Sequence, residues 1–122
     1  MNMNKRYIFV KGGINITKGL KRLENNETLY LDLIDQLLKD TNYKDFLLSV
    51  NNKDYTKAFE ASHALLGILG NLGCDDCYEI LEPIVEELKK GNYDYCLNNF
   101  DNFKTSYNLV FEAVEKASKL GN

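Results

Sequence analysis

The chain carries one histidine, His63, within Glu60-Ala61-Ser62-His63-Ala64-Leu65-Leu66-Gly67-Ile68-Leu69-Gly70-Asn71-Leu72-Gly73. An imidazole with an ordinary pKa of about 6.5 is mostly neutral near pH 7, so one ring nitrogen keeps a lone pair for nucleophilic or base chemistry. The second grouping with chemical potential is Cys74-Asp75-Asp76-Cys77. CxxC spacing serves redox or zinc chemistry in other settings. Here the middle residues are acidic, and nearby carboxylates oppose the thiolate that redox chemistry needs. A four-ligand zinc site would have to recruit Cys96 or His63. There is no Gly-rich nucleotide loop and no kinase signature, so ATP chemistry is not expected.

Winding the His63 segment at about 100° per residue separates two faces. Ala58, Ala61, Ser62, Leu65, Ile68, Leu69 and Leu72 form a core stripe, and His63 falls nearly opposite it. Its same-face neighbours are Glu60, Gly67 and Gly70, with Phe59 and Leu66 on one flank. Glycine inside a helix costs roughly 1 kcal/mol relative to alanine. Two of them beside an outward imidazole leave nearly bare backbone, which permits close approach by another molecule. Phe59 and Leu66 add apolar area of the kind that docking surfaces use.

The elements that must hold this face are helical. A single Pro among 122 residues and long runs of helical spacing predict an all-α domain. A short helix is expected at Thr17–Leu23. A second runs from about Asn26 to Thr41, with Tyr43–Val50 as a bent extension. A third runs from Asp54 to Asn71 and ends at a left-handed Gly73 cap. The fourth spans Asp75–Lys90, with acids first, lysines last and Gly91 beyond, matching the helix dipole. Its core positions are Cys77, Ile80, Leu81, Ile84, Val85 and Leu88, and Pro83 should kink it. The fifth, Asn92–Lys119, carries Cys96, Phe100, Phe103, Tyr107, Val110, Val114 and Ala117 in steps of four and three. The expected architecture is an antiparallel four-helix bundle over residues 13–119 with a short extra N-terminal helix. Residues 1–12 read as a tail or a short extended segment. Cys77 and Cys96 then lie on core stripes while His63 points away, so the cysteines read as small buried residues rather than a site.

Composition removes several function classes. With 15 Lys+Arg against 18 Asp+Glu the formal net charge is −3, and the aromatic series of the last helix has no interleaved basic residues, so nucleic-acid binding is not expected. No apolar run approaches the roughly 20 residues that cross a bilayer. Tyr7–Val10 is far shorter than a secretory core of about 7–15 residues. A cytoplasmic location with no membrane partner is therefore the expectation, with reduced thiols.

His63-Ala64-Leu65-Leu66-Gly67 followed by Asn71-Leu72-Gly73 resembles the motif of histidine-containing phosphotransfer (HPt) domains of two-component phosphorelays. That motif reads His-x-Leu-Lys-Gly with a second Gly ten residues after the His. Gly13-Ile14-Asn15 and Gly19-Leu20-Lys21-Arg22-Leu23 are similar to the family's short N-terminal helix, Glu27-Thr28-Leu29-Tyr30 to the entry of the next, and Asp54 to the start of the site helix. The likeness covers about residues 13–117 by pattern. It implies a monomeric phosphoryl carrier rather than an enzyme, with His63 as phosphoacceptor. The implied partners are response-regulator receiver domains and a sensor or hybrid histidine kinase. No cofactor is implied for this chain, since Mg²⁺ belongs to the partner receiver. Phe59, Leu66, Gly67 and Gly70 would form the docking face, and Glu60 would orient the ring by accepting from Nδ1–H.

The pattern departs from the family at Leu66, where the family has a Lys beside the phosphoryl group. No basic residue on this face stands in for it, and Lys57 lies two turns back on another face. The alternative reading is a degenerate HPt-like adaptor that binds receivers without being phosphorylated.

Overall fold

The computed structural model describes residues 1–120, and the described residues are helical with no strand. The helices are α1 (Met3–Lys11), α2 (Ile16–Arg22), α3 (Glu27–Gln36), α4 (Asn42–Asn51), α5 (Tyr55–Leu72), α6 (Asp75–Lys90) and α7 (Tyr93–Ser118). None of them is long and apolar enough to cross a membrane.

Caps set most of the boundaries. Asn15, Asn26 and Asp54 each accept a backbone N–H three residues on, opening α2, α3 and α5. Gly73 and Gly91 close α5 and α6 in the left-handed conformation, at φ 79° and 85°. The joints between α4, α5, α6 and α7 are only two or three residues long, so each helix folds back to pack on the next.

The core is one cluster around Tyr30, Ile34, Leu37, Phe46, Leu65, Leu69, Leu81, Ile84, Phe103 and Tyr107, all buried. Tyr43 stacks on Tyr107 at 3.8 Å between ring centroids, and Phe46 meets Phe103 edge-on at 5.7 Å. Ile68, Ile80 and Phe100, expected in the core, are half-buried at its rim.

Two expectations need correction. Residues 1–12 are neither a tail nor an extended piece, because Met3–Lys11 forms a helix with Phe9 wholly buried. Asn2 caps it, its side chain accepting from the Lys5 N–H at 2.7 Å, and Gly12 lies against Ala113 of α7. Nor does Tyr43–Val50 extend the preceding helix. After α3 the chain tightens into a 3₁₀ turn at Leu37–Lys39, then Asp40 turns extended with ψ 137°. The Asp40 carboxylate accepts the Asn42 N–H at 3.0 Å, which starts α4 afresh.

Candidate functional site

The site helix is α5, and its buried face is the stripe the periodicity required: Ala58, Ala61, Ser62, Leu65, Leu69 and Leu72 are buried. Ser62 is tolerated there because its hydroxyl donates to the Phe59 carbonyl oxygen at 3.1 Å within the same helix. With that stripe fixed, His63 is exposed, as are Glu60, Ala64 and Gly67. Among the described residues no hydrogen bond or ion pair holds the imidazole. Among the described residues its ring partner is Phe59, a turn earlier.

Gly67 and Gly70 differ. A Cβ built on Gly67 would meet nothing within 4 Å, so that stretch of backbone is open. One built on Gly70 would lie 3.0 Å from the Tyr78 ring of α6. The bare surface is thus narrower than the spacing suggested, because Tyr78 rests on the second glycine. Leu66 and Phe59 are half-buried, their inner edges packed against the core.

His63, Leu66, Gly67, Gly70, Asn71, Tyr78 and Arg22 line a shallow depression of about 290 Å³. Tyr78 and Arg22 come from α6 and α2 and carried no signal in the linear motif. The Tyr78 hydroxyl donates to Glu82 at 3.0 Å. That bond holds the phenol above its ordinary pKa, while the Arg22 charge pulls weakly the other way.

Glu60 is not part of this hollow. It lines a separate polar depression with Asp45, Ser49, Asp54 and Lys57, between α4 and α5. Among the described residues no hydrogen bond joins Glu60 to the His63 ring, and Glu60 leaves α5 on the flank opposite Leu66. Lys57 lies on that same far flank.

Cys74, Cys77 and Cys96 are buried free thiols. Burial pushes Cys77 up to about 12, opposed by a Ser106 hydrogen bond and reinforced by Asp76, and burial pushes Cys96 up to about 11. Thiols held so firmly protonated make poor nucleophiles and ligands. Among the described residues no group of three or more His, Cys, Asp or Glu is arranged to hold a metal ion.

Comparison of the chain with protein-family models, curated proteins and solved structures finds no match.

Proposed function

We propose that this chain is a phosphorelay intermediate of the HPt kind, accepting a phosphoryl group on His63 from a receiver aspartate or a kinase and passing it to another receiver. The observation that carries the reading is the exposed His63 imidazole, standing on the outer face of α5 one turn before open backbone at Gly67. The His-x-Leu-x-Gly spacing and the tight α5–α6 joint at Gly73 support it. In this reading the bundle is an antiparallel four-helix arrangement with α3 and α4 sharing one position.

The transfer balances without a cofactor on this chain. Neutral His63, with its proton on Nδ1, attacks the phosphorus of an aspartyl phosphate through Nε2. The N–P bond forms as the P–O bond to the carboxylate breaks, and the aspartate leaves with the electron pair. The positive charge left on the imidazole makes it a good leaving group for the return step. Rigid presentation by a helix and neutralisation of phosphoryl charge are what such a step needs from the protein.

A second reading is an adaptor that occupies receivers without accepting phosphate. Leu66 favours it, because with half-buried Phe59 it makes the flank of His63 apolar. Incubation with a phosphorylated receiver separates the two. The carrier gains acid-labile, base-stable phosphate that His63→Gln abolishes. Complex formation with no label on the wild-type chain establishes the adaptor, and undiminished label in His63→Gln refutes the assignment of the acceptor.

A further inference from the structure

Leu66 removes a cation from α5, yet the hollow at His63 is not without one. Arg22, the last residue of α2, lines the same depression as His63, Leu66 and Gly67. Arg22 is exposed, but the turn of α2 that carries it is fixed by packing. Gly19 and Arg22 lie one turn apart, on one side of α2. Gly19 presses so closely on α5 that an added Cβ would sit 2.7 Å from the Leu72 carbonyl oxygen. The Asn15 N–H donates to the Gly73 carbonyl at 2.7 Å, and the Tyr30 hydroxyl donates to the Leu72 carbonyl at 2.7 Å. These contacts clamp α2 and α3 onto the C-terminal end of α5, and the next turn of α2 delivers Arg22 beside Gly70 and Asn71.

Arg22 is also unspent. Among the described residues no carboxylate pairs with its guanidinium. Glu82, one turn along α6 from Tyr78, is engaged by the Tyr78 hydroxyl. A phosphoryl group on His63 would bring close to two negative charges into a hollow that holds this free cation. A guanidinium presents a planar fork of donors that matches phosphate oxygens.

We propose that Arg22 binds and neutralises the phosphoryl group carried on His63, supplying from α2 the charge that Leu66 takes away from α5. The inference rests on the phosphocarrier reading.

The test phosphorylates the whole chain with potassium phosphoramidate, which needs no receiver, and follows the phosphohistidine by ³¹P NMR. In Arg22→Gln the phosphoryl titration should move up by about half a pH unit, because a nearby cation favours the dianion. Transfer from a phosphorylated receiver should slow by ~10-fold, the loss of one charge-assisted contact. Arg22→Lys should recover most of both. So should Leu66→Lys placed in the Arg22→Gln background, since it restores charge from the other wall. Normal labelling of His63 with titration and rate unchanged in Arg22→Gln overturns this proposal and leaves the carrier reading intact. Absence of phosphohistidine on the wild-type chain from either donor overturns both.

Discussion

The ring of Phe59 lies beside that of His63, with centroids 5.5 Å apart and planes 10° from parallel. The two residues are one turn apart on α5, so the contact is a property of that helix alone. Phe59 is half-buried against the core, while His63 is exposed. Stacking of this kind is worth about 0.5–1.5 kcal/mol.

Replacing Phe59 by Leu keeps the packing and deletes the stack. If His63 is the proposed phosphoacceptor, Phe59→Leu should slow transfer to it by about 2–10-fold, in line with that stacking energy, while lowering stability by less than about 1.5 kcal/mol. Transfer kinetics and urea unfolding on the same preparations read the two effects. A rate equal to that of the wild type would show that the stack positions nothing.

Much of this site was legible in the sequence because it is written on one helix. The stripe from Ala58 to Leu72 fixes which way α5 turns, and His63 then has to face outward. The Gly73 and Gly91 caps were readable for the same local reason. Arg22 and Tyr78 were not, because they reach the hollow only through tertiary packing of α2 and α6. The neighbour that Glu60 faces was not legible either, since a helical wheel gives the angle of a residue but not which helix packs beside it, here α4. The first helix escaped detection because Tyr7, Ile8, Phe9 and Val10 are apolar in succession and carry neither helical nor strand period. Its Met3, Tyr7 and Val10 remain exposed after folding.

The glycines of and around α5 should respond in opposite directions. Gly73 needs its φ of 79°, and a Cβ there would run into the Asn15 carbonyl oxygen. Gly73→Ala should cost about 2–4 kcal/mol, from left-handed strain plus overpacking. Gly67 is helical with empty space around it, so Gly67→Ala should stabilise by about 0.5–1 kcal/mol. If the bare backbone serves docking, the same Gly67→Ala change should weaken receiver binding despite the more stable fold. Chemical denaturation gives the stabilities and titration calorimetry the affinity. Stabilisation with unchanged affinity would remove Gly67 from the docking face.

The buried thiols predict an alkaline limit to stability. Burial holds Cys96 up at about 11 and Cys77 up at about 12, and burial drives Cys74 higher still, helped by Cys77 and Asp75. In the unfolded chain each thiol ionises near an ordinary value of about 8.5. A group whose pKa is raised by folding contributes its full stabilisation below the unfolded value and loses it as pH climbs toward the folded one. Between about pH 9 and 11 the unfolded state therefore releases protons that the folded state keeps. Stability should fall there by up to about 1.4 kcal/mol per pH unit for each thiol. Tyr30 and Tyr107, also raised chiefly by burial, steepen the fall at its upper end. Urea midpoints measured between neutral pH and about pH 10.5 should decline along this course, and more shallowly in Cys96→Ala. A flat profile across that window would mean that water reaches the thiols in the native bundle, and the packing of α6 against α7 around Cys77 and Cys96 would have to be looser than described.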